Sequence, residues 1–192
     1  MQAIGREIVI QTLPISDSEL MRLSAMNPTL RFERNADGSL VTMPPTGGIS
    51  GNREAKAILR LGMWVEANDA GEFFSSSTGF KLPNGAVRSP DAAFVAKDRL
   101  PENWDSSEDS FITVVPDLAI EIRSKTDSLA TLQVKMQEYI ANGVCLGWLI
   151  DRPHQRAFVY RADGSVTQYP ATATLYGEAI APGFQLKLQL LL

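Results

Sequence analysis

The run Val144-Cys145-Leu146-Gly147-Trp148-Leu149-Ile150 carries no polar side chain on either side of a would-be strand. A strand with one wet face alternates apolar and polar residues. Leu146 to Ile150 does not alternate, so it reads as a strand buried on both faces and therefore central in a sheet. Two long helical patterns are available to cover such a sheet. Ser50 or Asn52 caps a helix whose apolar positions are Ala55, Ile58, Leu59, Met63 and Val65, closed by Ala70-Gly71. A second helix runs from about Ser128 to Asn142 and is stopped by Gly143.

The remaining elements are shorter. Ser16-Asp17-Ser18-Glu19 is a capping box that opens a helix through Leu20 and Leu23, ended by Asn27-Pro28. Leu30–Arg34 and Leu40–Met43 flank the turn Asn35-Ala36-Asp37-Gly38 as a hairpin, and Pro44 to Gly48 is a loop. Strands follow at Glu72–Ser75, Gly79–Leu82 and Ala92–Val95, and the polar stretch Leu100 to Ser110 is an exposed loop. Leu118–Ile122 is a strand. Ala157–Tyr160 and Val166–Tyr169 form a closing hairpin, and Phe184–Leu188 alternates strictly as a half-exposed strand. Strands separated by two solid helices give a mixed α/β (α+β) class, with all 192 residues in a single domain, 1–192.

Composition removes most familiar chemistries. The single Cys145 excludes an intramolecular disulfide or a multi-thiolate zinc site and reads as core. The single His154 lies in a turn between two strands, which leaves no Ser-His-Asp triad or His-rich metal site. Any active site must use carboxylates and lysine. No apolar stretch is long enough to span a membrane, and Met1 to Thr12 lacks the features of a signal peptide, so a cytoplasmic protein is expected. The net charge of −4 supplies no general attraction to nucleic acid, which argues against a DNA-coating protein more than against an enzyme.

Three positions stand out. In Leu118–Ile122, alternation turns Leu118, Ile120 and Ile122 one way and Ala119, Glu121 and Arg123 the other. Glu121 is thus a carboxylate in an apolar strand and needs Arg123, a metal ion or a proton as partner. Asp91 follows Pro90 at the start of a strand, as a turn residue or a second ligand. Lys135 lies within the core-facing stripe Leu132, Met136, Tyr139 and Ile140, so either its stem packs while the ammonium reaches solvent, or it points at Glu121. Arg53, Lys56 and Arg60 share one helix face, as a solvated cationic surface or as phosphate contacts.

Pro90-Asp91, then Pro116-Asp117-Leu118-Ala119-Ile120-Glu121-Ile122-Arg123-Ser124, Lys135-x-x-x-Tyr139, and Asn142-Gly143-Val144 through Trp148-Leu149-Ile150-Asp151 together resemble the bacterial Uma-two type of restriction endonucleases, within the PD-(D/E)XK nuclease superfamily. Met43-Pro44-Pro45 and Pro182-Gly183-Phe184 extend the resemblance over nearly the whole chain. It implies a restriction-endonuclease-like core, a mixed central sheet flanked by helices, with an N-terminal helix and hairpin and C-terminal strands. It also implies that Asp91 and Glu121 hold Mg²⁺ or Mn²⁺, with a backbone carbonyl such as that of Ile122, and that the reaction is in-line hydrolysis of a phosphodiester, in DNA ahead of RNA. The lysine that the superfamily places two residues after the glutamate is Arg123 here. Arginine is too basic to accept a proton but able to clamp phosphate. Lys135 is the candidate replacement, and Glu54 and Tyr139 are candidate accessory residues. A catalytically silent scaffold that binds nucleic acid or a protein stands as the alternative. A homodimer through Phe158, Tyr160 and the C-terminal strand is compatible with both.

Overall fold

The computed structural model describes residues 8–11, 14–43, 45–102, 104 and 110–192. Pro44, much of the polar stretch between Leu100 and Ser110, and most of Met1 to Thr12 lie outside the described residues. After β1 (Ile8–Ile10), the capping box forms as read: Ser16 accepts from the Glu19 amide, Glu19 accepts from the Ser16 amide, and α1 (Asp17–Met26) ends at Asn27. The hairpin β2 (Arg31–Arg34) and β3 (Leu40–Met43) follows. The long helix α2 (Gly48–Asn68) begins earlier than expected. Its N-cap is Gly47, with no side-chain cap, and neither Ser50 nor Asn52 serves.

The rest of the chain builds β4 (Gly71–Ser75), β5 (Phe80–Lys81), β6 (Val87–Arg88), β7 (Ala92–Ala96), β8 (Leu118–Arg123), α3 (Leu129–Ala141), β9 (Leu146–Asp151), β10 (Arg156–Arg161), β11 (Val166–Pro170), β12 (Thr174–Tyr176) and β13 (Gln185–Lys187). Sequence reading missed β1, β6 and β12, each only two or three residues long. The main sheet has the order β11-β10-β9-β8-β7-β4, in which only the β8–β9 pair is parallel. The apolar run is therefore interior, and every residue of β9 is buried. A second antiparallel sheet has the order β1-β3-β2-β6-β5, and β12 pairs with β13.

Alternation sorts the main sheet into two covered faces. Phe94, Leu118, Ile120, Leu146, Trp148, Ile150 and Val159 meet α2 and the C-terminal segment, where Trp148 stacks on Phe184 at 5.4 Å. On the other face Ala119, Leu149 and Tyr160 meet Met136 and Tyr139 of α3. Gly147 lies against the Met136 methyl, so a Cβ there would make that flexible side chain shift. In α2 the buried positions are Ala57, Leu61, Gly62 and Val65, which share one helix face. Leu59 and Met63, expected inside, are 57% and 55% exposed. They sit off the face that touches the sheet, so apolar content alone misplaced the stripe.

Two smaller expectations also change. Cys145 is half-buried with its thiol near the Gly143 carbonyl, because it precedes the covered part of β9. Tyr160 is buried against α3, the Arg156 guanidinium covers the Phe158 ring, and Leu186 of β13 faces the core. Of the side chains named for a dimer surface, Tyr160 and Leu186 are buried, Phe158 is half-buried, and Gln185 and Lys187 of β13 are exposed. Among the described residues no helix is long and apolar enough to cross a membrane.

Candidate active site

Strands β7 and β8 run antiparallel with Ala92 across from Ile120. Continued by one residue, that register sets Asp91 across from Glu121. Asp91 Oδ2 accepts a hydrogen bond from the Ile122 amide at 2.7 Å, so the strand end fixes its side chain. Glu121 projects to the α3 face. Its Oε1 accepts from Lys135 Nζ at 2.8 Å and from the Tyr139 hydroxyl at 2.9 Å. Lys135 and Tyr139 lie one helical turn apart, so both reach one carboxylate from one helix face. Lys135 therefore does point into the site. Glu54, on the first turns of α2, accepts from Ser76 at 3.3 Å and lies 3.9 Å from Arg31, which is itself 3.8 Å from Asp91 Oδ1.

A further layer was not foreseen. Glu33 of β2 is 2% exposed, accepts from Lys135 at 2.9 Å and from the Ser89 amide at 2.8 Å, and pairs with Arg88. Arg88 also donates to Glu138 at 2.6 Å and to Asn35 at 2.8 Å. The signal was present but faint: Arg31, Glu33 and Arg34 alternate with Phe32 in a short hairpin, a pattern that equally describes a solvated edge. Only the packing of this hairpin against α3 reveals that Glu33 is covered.

Charge is unevenly compensated here. Burial, then the Glu121 and Glu54 carboxylates, push the Asp91 carboxyl well above the ordinary range, against the Ile122 amide and Arg31. Burial also raises Glu121, with Lys135 opposing and Glu33 adding to the rise. Glu33 goes the other way: burial disfavours its charge, but Lys135 and Arg88 more than offset that. Lys135 loses solvation yet is held firmly protonated by Glu121 and Glu33. The Tyr139 phenol is kept protonated by burial and the same two carboxylates. Within the ion-pair network around Glu121, the carboxylates Glu33, Glu54, Asp91, Glu121 and Glu138 outnumber the cations Arg31, Arg88 and Lys135 by two.

These groups line one cleft of about 1330 Å³, together with the first turn of α2, the loop Ser124–Ser128 after β8, and Arg152. Arg123 is absent from its lining. Parallel pairing sets Arg123 beside Asp151, and its guanidinium donates to Asp151 at 2.6 Å and to the Asp127 carbonyl at 2.9 Å. It is not the partner of Glu121, because the neighbouring strand offers a closer carboxylate than its own strand does. Arg53, Lys56 and Arg60 also fall outside the lining, although Glu54 between them is part of it.

The donor set suits a hard divalent cation. Asp91 Oδ1 and Glu121 Oε2 accept no hydrogen bond from the described residues, and the surplus of negative charge matches such an ion. Among the described residues no group of three or more His, Cys, Asp or Glu is placed to hold a metal. The protein would therefore supply a carboxylate pair and a carbonyl, with waters or substrate oxygens completing the shell, as is usual for Mg²⁺.

Comparison with known proteins agrees with this architecture. A crystal structure of a "putative nuclease belonging to DUF820" from Anabaena variabilis ATCC 29413 superposes with a TM-score of 0.70 at 21% identity, over 83% of this chain and 88% of the other. At that identity the likeness establishes the fold, which is restriction-endonuclease-like, as expected. No curated protein matches the sequence. The family model Uma2, "Putative restriction endonuclease", matches residues 17–189, from the first turn of α1 to the last turn of the chain. The chain belongs to the Uma2 family.

Proposed function

We propose that this protein is a divalent-metal-dependent endonuclease that hydrolyses phosphodiester bonds, in DNA ahead of RNA. The observation that carries the reading is the placing of Asp91 beside Glu121, one residue beyond the Ala92–Ile120 pair of β7 and β8, as two buried carboxylates with spare oxygens that line one cleft. Membership of the Uma2 family and the likeness to a nuclease fold support it. Bound to Asp91, Glu121 and the Ile122 carbonyl, Mg²⁺ or Mn²⁺ supplies Lewis-acid stabilisation of phosphate charge and acidifies water.

The chain's own residues have separable parts. Lys135 is held protonated, so it does not accept a proton. It fixes Glu121 Oε1 and brings positive charge to the cleft floor. Tyr139 locks the same carboxylate in one rotamer. Arg31, between Glu54 and Asp91 and bound tightly to neither, is free to turn towards a phosphate oxygen. Glu54 lines the cleft and, among the described residues, is held by Ser76 and Arg31 alone, which suits it to take the proton of an attacking water.

Supercoiled plasmid and single-stranded DNA incubated with Mg²⁺, Mn²⁺ or EDTA test this. Wild type is expected to cut in either metal and not in EDTA, and Asp91→Asn and Glu121→Gln to cut in none. Absence of cutting by wild type in both metals would leave a silent scaffold as the working description.

A further inference from the structure

The cations that line the cleft fall into two sets. Lys135 and Arg88 are tied to carboxylates, and Arg31 leans towards Glu54 and Asp91. Lys125 and Arg152 line the same cleft but form no ion pair among the described residues. Lys125 sits in the loop after β8 and Arg152 in the turn after β9. Because β8 and β9 are parallel, both loops leave the sheet at the end that carries Glu121.

Arg152 shows what these cations lack. Its Nη1 donates to Ser50 Oγ at 3.1 Å, and its Nε is buried without an acceptor. Arg53, which lies behind the cleft lining, disfavours its charge, donates to Asn52 and also has a buried Nε with no acceptor among the described residues. Neither guanidinium has an ion-pair partner among the described residues, which leaves positive charge uncompensated beside the cleft in a chain whose net charge is −4, the arrangement an anion would complete. The start of α2, beside Ser50, points the same way, with no side-chain cap and no acidic residue in its first turn.

We propose that Arg152 and Lys125, backed by Arg53, hold a backbone phosphate of the nucleic-acid strand next to the one that reacts at Asp91 and Glu121. The proposal rests on the nuclease reading and deepens it. These cations do not touch the site carboxylates, so the phosphate they hold is a neighbour of the reacting one. The substrate is then a strand with several phosphates and not a mononucleotide.

Fluorescence anisotropy of labelled single-stranded and duplex oligonucleotides, titrated in EDTA over a range of KCl, separates binding from cleavage. Arg152→Ala and Lys125→Ala are each expected to weaken binding several-fold and to reduce the slope of log K against log salt by about 1. Arg152→Lys keeps the slope. Ser50→Ala removes the hydrogen-bond partner of Arg152 but no charge, and keeps it too, as does Lys187→Ala on the exposed side of β13. Wild-type slopes in both Arg152→Ala and Lys125→Ala, or no binding by wild type, overturn the phosphate contact. Binding that depends on Arg152 without any metal-dependent cutting upholds the contact and overturns catalysis alone. Cutting with binding indifferent to Arg152 and Lys125 does the reverse.

Discussion

Glu121 and Asp151 belong to neighbouring parallel strands at the same end of the sheet, both are buried, and their surroundings drive them in opposite directions. Asp151 accepts from Arg123 at 2.6 Å, from Arg156 at 2.9 Å and contacts His154 at 3.0 Å. Burial disfavours its charge, but Arg156, Arg123 and His154 outweigh that and hold its carboxyl below the ordinary range. Glu121 shares Lys135 with Glu33 and faces Asp91, and its carboxyl is raised. A buried carboxylate is therefore no sign of function in itself. The balance of charge around it distinguishes an ion pair that locks a strand end from a site short of positive charge.

The largest effect expected from this contrast is on cleavage. Asp91→Asn and Glu121→Gln should each lower plasmid cutting by about a thousandfold or more, since a bound metal supplies several kcal/mol of charge stabilisation. Urea denaturation without metal should show Asp91→Asn at least as stable as wild type at neutral pH, because like-charge repulsion is relieved. Asp151→Asn reverses the pattern. It strands Arg123 and Arg156 and should cost about 3 kcal/mol in the same denaturation experiment, while the folded fraction still cuts.

Stability against pH sharpens the comparison. Asp151 has a lowered folded value, so the stability it contributes is present above the unfolded value of about 3.9 and is lost as pH falls through the folded value. Asp91 has a raised folded value. Its contribution is present below about 3.9 and is lost as pH rises through the folded value. Urea midpoints from acid to neutral pH should therefore lose part of their acid limb in Asp151→Asn and part of their neutral-side decline in Asp91→Asn. The smallest effect belongs to Arg123→Ala, with less than a tenfold change in cutting, under about 1.4 kcal/mol. A larger loss would show that Arg123 serves the reaction and not Asp151.

These residues also show what was legible in the sequence. Alternation in β8 set Glu121 apart, the stripe of α3 set Lys135 apart and proline at a strand start set Asp91 apart. All three had a structural reading beside the functional one, and only the family resemblance joined them into one site. Each is a local periodicity that survives folding. Arg123 as a partner of Glu121 does not hold, because its partner is set by the register between β8 and β9, which no single strand displays. Glu33, Arg88 and Glu138 went unseen because their pairing joins β2, β6 and α3, elements far apart in the sequence. The early start of α2 was missed because Gly47 caps nothing, and Ser50, which resembled a cap, bonds Arg152 instead.

Calorimetric titration of Mn²⁺ into wild type, Asp91→Asn and Glu121→Gln at neutral pH probes the carboxylate pair most directly. One saturable site in wild type, lost in both variants, is the expected result. No binding by wild type, or binding unchanged in either variant, would contradict a metal site built on Asp91 and Glu121.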